Sequence, residues 1–149
     1  MRKYKIFISG AQKELKAERR AVKDFVLADP LLSEYFDVFL FEDAPAKSKP
    51  AEKAYLEQVR KSDFYLGILG VKHGGTGKGD SSPTEAEFQE AKSRDTHILI
   101  YIKGENGAND KKRDAGVQKL IQEIKNPKAG HSYRRFNDPT DLTDLVYES

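Results

Sequence analysis

The chain has 149 residues and no cysteine, and its 26 basic and 24 acidic residues leave a formal charge of +2. That length supports a single domain, residues 1–149, with a sizeable core. The absent cysteines exclude disulfide and thiolate chemistry, and the near-balance of charge gives no indication of nucleic acid as a partner. His73, His97 and His131 have no metal-ligand spacing, so no metal is expected. No apolar run approaches the roughly 20 residues needed to span a bilayer, and the opening MRKYKIFISG is strand-like rather than a signal peptide. The expectation is a cytoplasmic domain with no membrane partner.

Lys3–Ser9 (KYKIFIS) is β-branched and aromatic, ends at Gly10, and predicts a buried strand. Lys13 to Leu27 carries Leu15, Val22, Phe25 and Val26 on one helical stripe. Phe36–Phe41 (FDVFLF) predicts a second strand, followed by the proline-rich loop EDAPAKSKP and a short helix from Tyr55 to Lys61. Phe64–Gly70 (FYLGILG) predicts a third strand, covered on both faces. After a glycine-rich stretch come a helix from Pro83 to about Arg94 and the strand His97–Ile102. The polar loop Gly104–Gly116, a helix Val117–Ile124, a short edge strand Tyr133–Phe136 and a last helix Pro139–Tyr147 complete the order. Strands alternating with helices predict an α/β, flavodoxin-like open parallel sheet of about five strands with helices on both faces. In such sheets ligands bind beyond the carboxyl ends of the strands where strand order reverses, here between the first and third strands.

The stretch from Gly74 to Glu87, GGTGKG followed by Asp80 and SSPTEAE, superficially resembles a phosphate-binding loop. A Walker A loop would need glycine at position 72, which is Lys72, and serine or threonine at position 79, which is Gly79. Both requirements fail, and the glycines are expected to form a mobile cover over the crevice. Ser82-Pro83-Thr84-Glu85 fits a capping box, with Ser82 as N-cap and Glu85 reaching back to its amide. Thr84, Phe88 and Ala91 share a face that should pack on the sheet. Glu87 falls at the margin of that face, opening towards the crevice, where the helix N-terminus would favour its ionised form.

The blocks KIFISGAQKELKAERRAVKDF, FLFEDAPA, YLEQVRKSDFYLGILGVKHG and SPTEAEFQEAKSRDTHILIYIK together resemble a bacterial TIR-like domain family of unassigned function, a module that usually opens a longer chain. The end on DLTDLVYES, an apparent helix without a polar tail, agrees with the expectation of a longer protein. Enzymatic TIR domains cleave the nicotinamide–ribose bond of NAD with a glutamate on the helix after the third main strand, and the resemblance puts that position at Glu87. The strand KIFISG and the segment Asp80–Glu87 are also similar to nucleoside deoxyribosyltransferases, which use a glutamate against a sugar C1′. Both resemblances imply an N-glycosidase with Glu87 as its catalytic carboxylate, NAD or another nucleotide as substrate, and no cofactor.

The expected ligand-binding residues are Ser9 and Gly10 at the end of the first strand, Phe41 and Glu42 after the second, Tyr65 on the third, His73 and Gly74 at its tip, and Ser82 and Thr84 at the helix start. Because the chain has no tryptophan, stacking on a base falls to Tyr65, Phe41 or another aromatic. The alternative expectation is a non-catalytic module that associates with itself or a partner domain in signalling; a weaker one is a deoxyribosyltransferase-like enzyme.

Overall fold

The computed structural model describes residues 3–43, 51–71, 83–94, 96–104, 113–126 and 133–148. Its strands are β1 (Tyr4–Ser9), β2 (Phe36–Phe39), β3 (Phe64–Leu69), β4 (His97–Lys103) and β5 (Tyr133–Phe136). They pair in parallel in the order β2-β1-β3-β4-β5. The helices are α1 (Lys16–Ala28), α2 (Leu32–Tyr35), α3 (Ala51–Lys61), α4 (Pro83–Ser93), α5 (Ala115–Lys125) and α6 (Pro139–Glu148).

Alternation along β1 sorts the two layers. Ile6 and Ile8 face a core with Val22 and Val26 of α1 and Leu142 of α6. Phe7 points the other way, into a core with Val59 of α3, Phe88 and Ala91 of α4, and Val117, Leu120, Ile121 and Ile124 of α5. Residues two apart on a strand share a face, so Ser9 follows Phe7 towards the α4 layer. That parity places a hydroxyl, rather than another aromatic ring like Phe7, under the start of α4.

The fold class and strand order agree with expectation, and the local differences have local causes. α1 starts at Lys16, after a turn in which the Leu15 amide bonds the Ala11 carbonyl at 2.9 Å. β2 ends at Phe39, and a single 3-10 turn, Phe41–Asp43, follows it, so Phe41 is not a strand residue. α3 extends back to Ala51 because Ala, Glu and Lys sustain a helix without contributing an apolar stripe. The short helix α2 follows Asp29-Pro30, where Asp29 Oδ1 accepts from the Leu31 and Leu32 amides, both at 2.9 Å. α6 begins at the proline of a second Asp-Pro pair, with Asp138 Oδ1 accepting the Asp141 amide at 2.8 Å. Among the described residues no helix is long and apolar enough to cross a membrane.

Candidate active site

The strand order reverses between β1 and β3, and the end of β1 there is shaped by Gly10. Its φ is +151°, and a Cβ would lie 2.9 Å from the Ile68 carbonyl oxygen, so no other residue fits without strain. Ser9, just before it, is fully buried and donates its hydroxyl proton to Glu87 Oε1 at 2.7 Å.

Glu87 is only 5% exposed, on the same face of α4 as Thr84, Phe88 and Ala91. It is part of the buried face rather than its margin. Burial drives its carboxyl up to about 7, opposed by the Ser9 hydrogen bond and the Arg19 charge, while the Glu42 charge adds to the rise. The helix N-terminus, expected to favour the ionised form, is therefore outweighed by burial. A helix end supplies about 0.3–1 kcal/mol in the first turn, whereas withdrawing a carboxylate from water costs several.

Tyr65 is also buried, its ring centroid 6.2 Å from that of Phe7 in a stacked pair and 6.1 Å from Phe88 edge-on. The ring leans along β3 over Gly67, where a Cβ would meet Tyr65 Cε1 at 2.9 Å. Gly67 pairs in register with Ser9, so leaning over it carries the hydroxyl towards Ser9, with which it is hydrogen-bonded. Burial first, then the Glu87 charge, raises the phenol far above its ordinary value. Tyr65 therefore stays an O–H donor, and Ser9, whose own proton goes to Glu87, accepts from it. The ring is spent on the core, which corrects the expectation that it would stack on a base.

A second polar group lies beside this relay. Arg19 is 2% exposed; its Nη1 donates to the Gly10 carbonyl at 2.8 Å, and Nε and Nη2 donate to the two carboxylate oxygens of Glu42 at 2.9 and 2.7 Å. The Glu42 side chain is 26% exposed. Partial burial pushes its carboxyl up, but the Arg19 hydrogen bonds and charge, with Arg20, outweigh that and hold it below its usual value. Further round the rim, Lys103 pairs with buried Glu18 at 2.6 Å. One peptide at the end of β3 is gripped from both sides: Arg113 Nη1 donates to the Gly70 carbonyl at 2.7 Å, and the Val71 amide donates to Glu14 at 2.8 Å.

Of the residues expected at the site, Ser9, Gly10, Glu42, Tyr65 and Glu87 converge on this cluster; Thr84 lies one turn before Glu87, and half-buried Phe41 precedes Glu42 in the 3-10 turn. His73, Gly74 and Ser82, and with them the glycine-rich cover and the capping box, lie outside the described residues. Arg19 is the residue that sequence reasoning missed. Its signal was present: Leu15, Arg19, Val22 and Val26 follow the i, i+4, i+7, i+11 spacing, so a charge interrupts the apolar stripe. Among the described residues no group of three His, Asp or Glu side chains is arranged to hold a metal.

The model of one family matches residues 5–149, almost the whole chain. The chain belongs to DUF4062, a domain of unknown function. The sequence matches no curated protein. Among solved structures, this DUF4062 domain is similar to the Clostridium botulinum CMP N-glycosidase BcmB, with a TM-score of 0.59 at 12% identity over 97% of this chain and 99% of that one. At that identity the likeness establishes a shared fold, and the buried carboxylate of the DUF4062 chain has to be judged on its own surroundings.

Proposed function

We propose that this DUF4062 domain is a nucleotide N-glycosidase in which Glu87 is the essential carboxylate. The observation that carries the proposal is a glutamate 5% exposed at the sheet's switch point, hydrogen-bonded by Ser9 and poised near neutrality. Buried carboxylates without a paired cation are costly, and perturbed ones cluster at functional sites. In the reaction, the C1′–N bond breaks, its electron pair leaves with the base, and positive charge develops on C1′ and the ring oxygen. The Glu87 carboxylate stabilises that charge or bonds to C1′, and water completes the hydrolysis to a free base and a sugar phosphate. With its value raised to about 7, Glu87 is within reach of ionisation at neutral pH, and a nearby cationic centre favours the anion.

Two substrate arms follow. The TIR-like resemblance points to NAD with nicotinamide as the leaving group, and the fold neighbour is a CMP N-glycosidase. Ser9 and Gly10 would face the ligand from β1, Phe41 and Glu42 from beyond β2, and Thr84 from the start of α4. The protein is incubated with NAD and, separately, with CMP, and free base is followed by chromatography. Glu87→Gln keeps the size of the side chain and its reach to Ser9, and should lower release on the order of 10²–10³-fold. Equal release by both proteins, or none from either substrate, would reject the proposal; exchange into an added second base instead of hydrolysis would mark a transferase.

A self-association reading draws on a different observation. Tyr4, Leu31 and Tyr35 are exposed by 51, 56 and 40%, and Tyr4 and Tyr35 stand at the amino ends of β1 and β2, away from Glu87; exposed apolar side chains of this kind suit a partner. Sedimentation as a strict monomer at all protein concentrations would remove it.

A further inference from the structure

The polar groups around Glu87 are not equivalent. Ser9 from β1 touches it, Tyr65 from β3 acts through Ser9, Arg19 reaches it as a charge from α1, and Glu42 reaches it as a charge from the turn after β2. Arg19 has two anchors. Nη1 holds the carbonyl of Gly10, the residue next to Ser9, while Nε and Nη2 chelate Glu42. A guanidinium forked on a carboxylate has its plane fixed, so Glu42 determines where the third arm of Arg19 points. With Glu42 in place the side chain of Arg19 is only 3% exposed.

We propose that Arg19 is a positioning residue for the Ser9–Glu87 pair, and that Glu42 is the counter-ion that holds Arg19 in place and offsets its charge. Glu42 then sets the protonation of a carboxylate that it does not touch. Removing the Glu42 charge leaves Arg19 as an unopposed cation beside the site, which favours the Glu87 anion. Replacing Arg19 by an apolar side chain removes a cation and leaves Glu42 unpaired, and both changes disfavour that anion. Two substitutions at one ion pair thus move the same group in opposite directions, which simple loosening of the fold would not do.

This inference deepens the glycosidase reading and takes the importance of Glu87 from it, but its test needs no turnover. The full chain is labelled with ¹³C at glutamate side-chain carboxyls, and the Glu87 resonance, assigned by its loss in Glu87→Gln, is titrated from pH 4 to pH 9. In Glu42→Gln the Glu87 midpoint should fall by roughly half a pH unit or more, and in Arg19→Met it should rise. Arg19→Lys keeps the charge but not the fork; its midpoint should stay nearer the wild type than that of Arg19→Met. A midpoint unmoved in Glu42→Gln, or moved upward, overturns the inference. Because Glu42 is at the rim, Glu42→Gln should fold even if Arg19→Met does not. Base release bears on the glycosidase reading alone, so a normal titration response without turnover separates the two.

Discussion

The two ends of the sheet are built from different materials. At the amino end an aromatic row runs across adjacent strands: Tyr4 lies 6.2 Å from both Phe36 and Phe64, Phe36 lies 5.7 Å from Phe64, and Phe64 lies 5.3 Å from His97. At the carboxyl end are the buried charged side chains of the described residues, Glu18, Arg19, Glu87 and Arg113. Three of them are compensated: Glu18 by Lys103, Arg19 by Glu42, and Arg113 by the carbonyls of Gly70 and Lys103. Glu87 has a neutral hydroxyl as its hydrogen-bond partner. The amino end is therefore organised for packing, and the carboxyl end carries one group whose placement costs stability.

That contrast can be broken most directly at Glu87 by varying pH. Its folded-state value near 7 exceeds the ordinary carboxyl value of 4.5, so between these values the folded chain binds more protons than the unfolded one. Stability from this group is fully present below the ordinary value and is lost as pH rises through 7. The loss is roughly 3 kcal/mol. Urea unfolding at pH 5 and pH 8 should show wild type losing about 2–3 kcal/mol relative to Glu87→Gln, and parallel behaviour would show that the carboxyl bears no such cost.

A smaller effect is expected at Gly67. Alanine there would meet Tyr65 Cε1 at 2.9 Å and Ile100 Cδ1 at 3.1 Å, which should cost about 1–3 kcal/mol and withdraw the Tyr65 hydroxyl from Ser9. Thermal unfolding checks the first, and the Glu87 carboxyl titration checks the second. Tyr4→Ala at the amino end should have the least effect. With the ring half exposed, it should lose about 0.5–1 kcal/mol and leave the Glu87 titration unchanged. A change in that titration would mean that the two ends are coupled.

The fold was legible because its signals are short-range. The run FYLGILG reads as a strand from seven residues, and Leu15, Val22 and Val26 mark a helix face within four turns. Local chemistry added the unpredicted helix α2 after Asp29-Pro30 and a 3-10 turn that takes Phe41 out of β2. The site was legible only in part. Glu87 was singled out by its place on α4 and by family resemblance, and Ser9 by its place at a strand end. The contact between them joins residues 78 positions apart, and no local pattern specifies it.

By itself, the sequence determined the order of the strands and of the helices other than α2, the parallel class of the sheet and the end of it at which to look, because periodicity and turn chemistry act over a few residues. Tertiary structure alone decided that Glu87 is buried rather than marginal, that the Tyr65 ring is packed in the core, and that Arg19 and Glu42 share one ion pair. These are questions of solvent exclusion and charge separation. Both depend on which surfaces the folded chain brings together, and so the protonation of Glu87 is a property of the whole fold.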